Sequence, residues 1–583
     1  MLFSKLTEYF TQIESTTLRN EKTEILANIL KEADGDEVDK LVYLALGGLR
    51  PAFDRLEFQM ADKMILRALG KTEKEYQEVG DIGELASKIK PLDQSTIKLL
   101  SVEQVYTALE KIASASGAGS QERKVVGLAK LIAEVSPEDA KYIVRIVSGR
   151  LRLGFSDKTV IDALSYFENG TKDFSDDLDK AYQKRPDVGY LAKQVKKLGV
   201  PEAVKRTDVA IGTPIVPALA QRLKTPVEMI EKMGKVYCES KYDGTRVQIH
   251  FSRLLNQSTI KPLDQFGLFE EEKPKFFVRT FTRNLDESSA MFPELDQISD
   301  QIKANEVILD CEAVGYDPKT LKLVPFQLTI TRKRKHGIEE ASSTVPLRFF
   351  VFDIMFKDGQ SLIGLPLHER RKILAETIIG EKVLVVDDFI ETEDPDVLRE
   401  YHKTQLAAGL EGALVKQIDG QYMPGRTGFN WVKFKESEDS RAKLADTIDT
   451  VIMGYYFGKG KRSDFALGAF LVGVKNGDKI VTLAKVGTGI SDAQFKELGE
   501  RLKHYTIKPL DHLKYGYEVP KILEPDVWVE PKVIVEVAAD EITVSPTHSA
   551  GYALRFPRMV KFRDDKSAET ITTLEEVKTM FGI

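Results

Sequence analysis

The sequence predicts a multidomain protein with an all-α first third, an α+β middle and a small β-barrel at the end. Apolar residues recur at helical spacings of three and four up to about residue 205. From Tyr237 onward apolar and polar residues alternate, as they do in strands with one buried face. Short strand-like runs follow the charged stretch at 435–446. We therefore place domains at 1–205, 206–436 and 437–583.

The helical prediction rests on segments such as LTEYFTQIESTTLRNEKTEILANILKEA, QERKVVGLAKLIAEV and PEDAKYIVRIVSGRL. Each repeats apolar residues at helical spacing, and the first also carries Thr and Ser where helices start. The middle predicts strands at RVQIHF, FFVRTFTR, EVILDCEAVGY and LRFFVFDIMF, with helices at LHERRKILAETI and PDVLREYHKTQLAAG. This mixture indicates an α+β domain with a substantial antiparallel sheet.

The last third contains TVIMGYYFG, ALGAFLVGVK, KIVTLAKVGTG and VWVEPKVIVEVAADEITV, which Gly, Asp and Pro separate. Short strands at this spacing are typical of a small β-barrel. AETITTLEEVKTMFGI predicts a closing helix. The word IKPLD occurs at 89–93, 260–264 and 507–511, and we interpret the copies as surface insertions without catalytic meaning.

Composition excludes several classes of protein. The net charge of −6 excludes a strongly basic nucleic-acid-binding protein. A local basic surface can still bind DNA. Two cysteines, Cys238 and Cys311, cannot build a Cys₄ zinc site, and a disulfide framework does not fit them. The N-terminus lacks the continuous apolar stretch of a signal peptide, and no run approaches ~18 apolar residues. We expect a soluble intracellular protein.

The octapeptide ESKYDGTR at 239–246 raises the question of what Lys241 does. The lysine could be an ion-pair partner, a solvated loop residue or a nucleophile. Cations nearby, such as Arg246, favour the neutral amine and would expose its lone pair. Gly244 would let the backbone approach a ligand closely. The octapeptide alone does not decide among these three, because such short patterns arise by chance.

Further segments follow ESKYDGTR in a fixed order. They are FTRN with Arg283, LDCEAV with Glu312, FVFDIMF with Phe352, LEGALVK with Glu411 and Lys416, and WVKFK with Lys433 and Lys435. In order and approximate spacing this set resembles the nucleotidyltransferase motifs of ATP-dependent DNA ligases. The resemblance implies that Lys241 becomes adenylated. Read singly, Phe352 would be core, Glu312 a solvated or ion-paired acid and Arg283 a surface cation.

The resemblance implies a role for each matched residue. Phe352 offers a flat face for adenine, and Glu239 contacts the adenine amino group or the ribose. Arg246 and Arg283 bind ribose hydroxyls or phosphate, and Lys433 and Lys435 lie where negative charge develops. The carboxylates of Glu312 and Glu411 are hard oxygen ligands suited to Mg²⁺. The cofactors implied are therefore ATP and Mg²⁺.

The flanking regions extend the resemblance to nearly the whole chain. VSGRLRLGFSDKTVIDALS and GTPIVPALAQRL look like the helical DNA-binding domain of archaeal and eukaryotic replicative-type ligases. The loop GRLRLG would suit phosphate contact near a helix start, or would be a solvated turn. GYALRFPRMVKFRDDK is similar to the last motif of the OB-fold domain, where Arg563 and Lys566 would orient the leaving pyrophosphate.

The function implied is the sealing of nicks in double-stranded DNA through a Lys241–AMP and a 5′-adenylated DNA, in replication, recombination and repair. We expect a monomer in the cytoplasm, associated with the nucleoid in a prokaryote, with no membrane partner; recruitment by a sliding clamp stays open. The OB-fold domain would move between steps about a hinge near 436–446. The basic run TRKRKHG at 331–337 would be a solvated face or a site for DNA phosphates.

Some features depart from the family pattern, and other readings stay open. The family often has an arginine where Thr427 stands, and the adjacent Arg426 would take over its contact. An NAD⁺-dependent ligase is disfavoured because it carries a tetracysteine zinc module. An RNA ligase or mRNA capping enzyme shares the KxDG chemistry without this N-terminal domain. A catalytically dead DNA-binding scaffold would not need to retain the lysines and glutamates.

Overall fold

The structure is a computed structural model that describes residues 1–89, 97–223, 225–254, 276–324, 329, 345–425, 428–434, 447–457, 467–487, 490, 492–539 and 541–581. The chain divides into two compact units, Met1–Lys435 and Glu436–Ile583. Helices fill the first third, strands and helices mix in the middle, and strands dominate the end, which confirms the predicted order of structural classes. The boundaries at 205/206 and 436/437 stay predictions.

The helices of the first third pack around one continuous apolar core. They are α1 (Phe3–Ser15), α2 (Arg19–Glu32), α3 (Val38–Ala45), α4 (Asp62–Leu69), α5 (Glu73–Val79), α6 (Ile82–Ser87), α7 (Val102–Ala113), α8 (Ser120–Ala133), α9 (Pro137–Val147), α10 (Asp157–Asn169), α11 (Ser175–Lys184), α12 (Val188–Leu198) and α13 (Val200–Arg206). In α1, Leu6, Phe10 and Ile13 are fully buried because positions three and four apart share a helix face.

Polar side chains fix where several of these helices begin. The Ser101 hydroxyl oxygen accepts a hydrogen bond from the Gln104 amide, and the Ser101 amide donates one to the Gln104 side-chain oxygen, which starts α7 with a capping box. Ser136 caps α9, whose first residue is Pro137. The Ser and Thr start signals read in the first segment were wrong, because α1 and α2 begin after Leu2 and Leu18, which make no side-chain cap.

The strands of the middle region form two sheets. They are β1 (Gln221–Arg222), β2 (Val236–Ser240), β3 (Thr245–Ser252), β4 (Phe277–Thr282), β5 (Glu306–Gly315), β6 (Leu347–Lys357), β7 (Gln360–Ser361), β8 (Leu384–Val386), β9 (Phe389–Thr392), β10 (Ala413–Gln417) and β11 (Trp431–Phe434). One sheet has the order β1-β11-β10-β2-β9; the other has β4-β3-β5-β6-β7, with β8 beside β6. The helices here are α14 (Pro226–Met233), α15 (Leu367–Thr377) and α16 (Pro395–Ala407).

The strands predicted from alternation are confirmed. RVQIHF lies in β3, FFVRTFTR in β4, EVILDCEAVGY in β5 and LRFFVFDIMF in β6, and these four pair antiparallel as neighbours. Alternation splits β3 cleanly: Val247, Ile249 and Phe251 enter an apolar core, while Gln248 and His250 point to the opposite face. That opposite face carries the polar groups described below.

Buried polar side chains hold the segment that connects the helical region to the sheets. The Gly212 amide donates to His250 Nδ1 at 3.1 Å, and the Ile215 amide donates to Gln248 Oε1 at 2.7 Å. Gln248 Nε2 returns a bond to the Ile215 carbonyl at 2.9 Å. Burial, helped by the charge of Arg279, lowers the pKa of His250 to about 3, so this imidazole is neutral.

The second unit is built mainly of strands. Its elements are β12 (Ile448–Tyr456), β13 (Ala469–Asn476), β14 (Lys479–Val486), α17 (Asp492–Lys503), β15 (Thr506–Ile507), β16 (Tyr517–Glu518), β17 (Val527–Val529), β18 (Ile534–Ala538), β19 (Glu541–Val544), β20 (Tyr552–Arg555), β21 (Arg558–Phe562) and α18 (Leu574–Phe581). The order is β15-β17-β12-β13-β14-β16, with β18 joining β12 to β21 and β19 pairing β20. Strand pairing among the described residues does not close into a ring, whereas the closing helix is confirmed as α18.

Two sequence features are clarified by the fold. The IKPLD copy at 507–511 ends β15 and starts a 3₁₀ turn, Pro509–Tyr515, where Leu510 is exposed. That this copy is an insertion without catalytic meaning stays a prediction. The copies at 90–93 and 260–264 lie outside the described residues. Among the helices that the structure describes, none combines the length and apolarity that a membrane span requires.

Candidate active site

The two sheets of the middle region each have an apolar face and a polar face. In the five-stranded sheet, Val236 and Cys238 on β2 and Val415 on β10 pack with α14 and α16. The register places Glu239 opposite Leu414 and Leu414 opposite Lys433, so these three share the other face. Strand alternation thus concentrates the charged side chains on one side of each sheet.

Lys241 follows the last residue of β2, and Glu411 lies just before β10. Their Nζ and Oε2 atoms form an ion pair and a hydrogen bond. The backbone supports this contact, because the Lys241 amide donates to the Gly412 carbonyl at 3.0 Å and the Glu411 amide donates to the Lys241 carbonyl at 3.1 Å. Both side chains are only partly exposed, at 24% and 15%. The antiparallel pairing of β2 with β10 therefore brings these two predicted residues together.

Two glycines of this site are required by close approach rather than by flexibility alone. A Cβ on Gly244 would lie 2.5 Å from the Ala313 carbonyl oxygen of β5. We expected Gly244 to serve a ligand, but the neighbouring strand already explains it. Gly412 combines a φ of +125° with a Cβ position 2.7 Å from His402 Nε2 and from the Phe434 carbonyl oxygen. No larger residue fits either place without movement.

Glu239 lies in a fully buried charge cluster. Its carboxylate is 2.5 Å from Lys416 Nζ and 3.9 Å from an Arg371 nitrogen. Neither Glu239 oxygen has a hydrogen bond of acceptable geometry among the described residues, so the close Lys416 contact counts as a charge contact only. The carboxylate thus keeps acceptor capacity in a place that water does not reach.

Arg246 on β3 is held by the neighbouring strand. Its guanidinium contacts both carboxylate oxygens of Asp310, at 3.0 and 2.6 Å, and donates to the Ala218 carbonyl at 2.6 Å. Tyr422 donates to the same carboxylate at 2.7 Å. Burial lowers the pKa of Arg246, but the charge and hydrogen bonds of Asp310, together with Tyr422 and the charge of Glu312, outweigh burial and raise that pKa. Arg246 is therefore a fixed cation at the polar face.

Glu312 lies opposite Arg246 in the register of β3 and β5. Burial raises the pKa of Glu312 to about 7, against the opposing charges of Lys241 and Arg246. The charges of Asp310 and Glu411 raise it further. The two predicted metal ligands, Glu312 and Glu411, thus share Lys241 as a neighbouring cation. The described part of the chain holds no group of three or more side chains that could ligate a metal.

Phe352 is 7% exposed. It belongs to a separate apolar cluster, on the same side of the sheets as the charged side chains. Its ring makes an edge contact with Trp431, at a centroid distance of 5.9 Å. Lys416 Nζ lies 4.5 Å from the ring centre of Phe352, and the Arg246 guanidinium carbon lies 5.5 Å from it. The residue is thus both part of a core and a neighbour of the site's cations.

The remaining predicted residues occupy different positions. Arg283 is exposed in the turn after β4, next to Thr282, which pairs with Val247 beside Arg246. Lys433 is half-buried on β11. Arg426, Lys435 and the run at 331–337 lie outside the described residues.

Cations elsewhere in the predicted motifs are paired with acids. In GRLRLG, Arg150 pairs with Asp62 at 3.1 Å and Arg152 with Asp81 at 2.8 Å. In the second unit, Arg563 contacts Asp449 at 2.8 Å, and Lys566 pairs with the same carboxylate. These cations are therefore held in place by neighbouring elements.

Sequence reasoning missed the partners that orient the predicted residues. Asp310, Tyr422, Arg371 and Asp387 are all buried and all contact or flank a predicted side chain. Asp310 had a usable signal, because it alternates with Glu312 along β5 and so shares its face. Tyr422 and Asp387 lie in loops, where the sequence pattern gives no partner.

Comparison with known proteins shows which family this chain belongs to. Three family descriptions match in sequence order: DNA ligase N terminus at residues 2–165, ATP dependent DNA ligase domain at 272–435, and ATP dependent DNA ligase C terminal region at 463–566. A probable DNA ligase of Dictyoglomus thermophilum is 40% identical, with 100% of this chain and 97% of the relative covered. The chain belongs to the ATP-dependent DNA ligases.

Other relatives agree with this assignment. The DNA ligase of Sulfurisphaera tokodaii is 36% identical to this ligase, over 100% of this chain and 97% of the relative. The solved structure called "Pmar-Lig_Pre." has a TM-score of 0.51 and 18% identity, covering 96% of this chain and 99% of that chain. At that identity the likeness concerns the fold alone. The family, its use of ATP and its ligase activity confirm what the ordered motifs predicted.

Proposed function

We propose that this ligase seals nicks in double-stranded DNA through a covalent lysine–AMP intermediate on Lys241. The observation that carries the proposal is the position of Lys241: its Nζ contacts Glu411, and its charge acts on Glu312, which lies opposite Arg246 on the neighbouring sheet. A lysine surrounded by phosphate-binding cations and by carboxylates suits nucleophilic attack on phosphorus. Membership of the ATP-dependent family supplies the nucleotide.

The reaction has three steps in this proposal. Lys241 Nζ attacks the α-phosphorus of ATP, so that an N–P bond forms while the P–O bond to pyrophosphate breaks and the amine loses its proton. The 5′-phosphate at the nick then attacks the same phosphorus, takes the AMP and frees the lysine. Finally the 3′-hydroxyl attacks the activated 5′-phosphate, joins the strands and releases AMP. Arg246 and Lys433 stabilise negative charge on phosphate in these steps.

Nucleotide recognition falls to Glu239 and Phe352. The Glu239 carboxylate is buried and retains acceptor capacity, which suits the amino group of adenine. The Phe352 ring offers an apolar face for the base. Arg283 would contact ribose or phosphate from the end of β4. Arg426 and Lys435 keep their proposed nucleotide contacts from the resemblance alone.

Glu312 and Glu411 are the proposed ligands for Mg²⁺. Two carboxylates near one another fit this ion, which proteins commonly hold with one or two carboxylates plus substrate phosphates. The burial that raises the pKa of Glu312 would be offset by a nearby divalent charge. When bound, the ion would neutralise phosphate charge.

The remaining assignments follow from the resemblance. We propose an OB fold for the second unit, DNA phosphate contacts for the GRLRLG loop, a role for Arg563 and Lys566 in pyrophosphate departure, and action on DNA as a monomer inside the cell. A catalytically dead scaffold and an RNA ligase are the alternatives that the experiment must separate.

The test uses ATP labelled at the α-phosphate, Mg²⁺ and nicked duplex DNA. We expect label on the protein that is lost as the nick is sealed, and no label on Lys241→Ala. Lys235→Ala is the matched control, because Lys235 is an exposed lysine just before β2 that pairs with Glu391. Equal labelling of Lys241→Ala would overturn the mechanism, and sealing of nicked RNA alone would overturn the substrate.

A further inference from the structure

The residue after the proposed nucleophile is anchored more firmly than the nucleophile itself. Lys241 is held by backbone hydrogen bonds to Glu411 and Gly412 and by its contact with the Glu411 carboxylate. The backbone bonds fix the loop but leave a long, flexible lysine side chain to be aimed. Tyr242 is the neighbour whose side chain can set the orientation of that loop.

Tyr242 makes two directional contacts. Its ring stacks on Phe350, with centroids 4.2 Å apart and planes 20° from parallel. Its hydroxyl donates to Asp387 Oδ1 at 2.9 Å. Burial, followed by the charge of Asp387, raises the pKa of Tyr242, so the hydroxyl keeps its proton and stays a donor. The ring and the hydroxyl together fix the side chain in position and in rotation.

Asp387 is a rigid acceptor for this bond. It lies between β8 and β9 and is 3% exposed. Its amide donates to the Val351 carbonyl at 2.9 Å, and its carbonyl accepts a hydrogen bond from Arg371. Because the backbone is held at both the amide and the carbonyl, the carboxylate cannot follow the tyrosine if the loop moves. The hydrogen bond therefore ties the loop to a fixed point.

The same carboxylate connects the loop to the nucleotide-reading end of the site. Asp387 faces the charges of Glu239, Arg371 and Lys416, and burial together with the charge of Glu239 raises its pKa. Arg371 also donates to the Phe352 carbonyl at 3.2 Å. Buried networks of this kind favour one arrangement of their members, because a broken bond leaves a polar group unsatisfied. No proposed chemical step uses Tyr242 or Asp387.

We infer that Tyr242 and Asp387 are positioning residues that hold the Lys241 loop so that Nζ lines up with the α-phosphorus. The inference rests on the proposed role of Lys241. The pair acts on formation of the lysine adenylate, where Nζ must be in line with the departing pyrophosphate. Joining of a nick that already carries AMP on its 5′-phosphate does not use Nζ as nucleophile, and so does not need the pair.

The experiment compares those two reactions in the full-length ligase. Tyr242→Phe keeps the ring and its stacking and removes only the hydroxyl, while Asp387→Leu keeps a side chain of similar size and removes the acceptor oxygens. For both variants we expect the single-turnover rate constant for adenylate formation to fall about tenfold, which corresponds to a modest misalignment. The ATP concentration that gives half-saturation, and the rate constant for sealing a pre-adenylated nick, should stay within about twofold of the wild-type values.

A double variant and a matched control sharpen the result. Tyr242→Phe combined with Asp387→Leu should lose no more than either single change, because both break the same bond. Tyr9→Phe is the control, since Tyr9 also donates to a carboxylate, Glu32, at 2.7 Å in the helical region. We expect that variant to match the wild-type protein in both reactions.

The outcomes divide cleanly. Unchanged adenylate formation in Tyr242→Phe overturns the inference, and so does a parallel fall in both reactions, which would indicate a purely structural role. A change confined to the half-saturating ATP concentration would assign the pair to nucleotide binding and would also overturn the inference. Failure of the wild-type protein to label Lys241 would instead overturn the proposed function, so the two failures are distinguishable.

Discussion

Charged side chains cluster in two regions of this ligase, and the regions differ in how far water reaches them. Around Lys241, the cation Arg246 is 15% exposed and its partner Asp310 is 1% exposed. In the second unit, Arg563 and Lys566 are 20% and 30% exposed where they meet Asp449. Both sets of cations come from recognised motifs and look alike in the sequence.

The difference concerns what happens when one partner is lost. A buried guanidinium without its carboxylate keeps its charge and cannot recover water, so the folded state is strongly destabilised. Arg563 is only slightly more exposed, but it also contacts Asp565 at 2.8 Å and Glu536 at 3.6 Å, so the loss of one carboxylate leaves it with other acids. We therefore expect the sheet region to depend on each individual pair, whereas the C-terminal cluster tolerates the loss of one.

The largest expected effect comes from removing one carboxylate in each region. Asp310→Asn should lower the free energy of unfolding of the first unit by about 3 kcal/mol, because the mostly buried Arg246 loses its ionised partner. Asp449→Asn should cost clearly less in the second unit. The protein has two tryptophans, and Trp431 and Trp528 lie in different units, so single-tryptophan variants let urea unfolding be followed in each unit by fluorescence. Equal losses of unfolding free energy in the two units would contradict the expected difference between the two regions.

The glycines of the two regions give the next effect. Gly412→Ala should destabilise the first unit by roughly 2 kcal/mol or more, because its φ of +125° and two contacts at 2.7 Å both oppose a Cβ. Gly477→Ala is the matched change in the second unit: its φ is +62° but nothing lies within 4 Å of the added atom. It should cost only about 1 kcal/mol. Thermal melting of both variants checks this, and a similar loss from each would deny the role of close packing.

The smallest expected effect is the change in the free energy of unfolding per pH unit that His250 causes. Its pKa is lowered from 6.5 to about 3 in the folded protein, so the stabilising contribution is complete above pH 6.5 and is lost as pH falls toward 3. The first unit should lose about 1 kcal/mol for each pH unit in that range from this group. His250→Gln should remove this part of the slope, as seen by urea unfolding at several pH values.

A histidine in the second unit is the comparison for that slope. Burial also lowers the pKa of His548. This histidine is only half-buried, however, and it shares a hydrogen bond with Ser545. His548→Gln should change the pH slope of the second unit less than His250→Gln changes that of the first. The reverse order would contradict the difference in burial between the two regions.

The fold and the site were predictable to different depths. Alternation predicted β3 to β6, and helical spacing predicted α1, because each period reports one buried face. The ordered motifs predicted Lys241 and Glu411, and strand pairing brings them together. The pairing of Arg246 with Asp310 and of Tyr242 with Asp387 could not be predicted, since it depends on strand register and on loop positions that local sequence does not specify.

The proposed mechanism depends most directly on Lys241 as the nucleophile. The decisive measurement is peptide mapping by mass spectrometry of the full-length ligase after incubation with ATP and Mg²⁺ without DNA. We predict one AMP per chain, attached to the peptide that contains Lys241 and released when nicked DNA is added. An AMP attached instead to Lys416 or Lys433, in a protein that still seals nicks, would contradict the account.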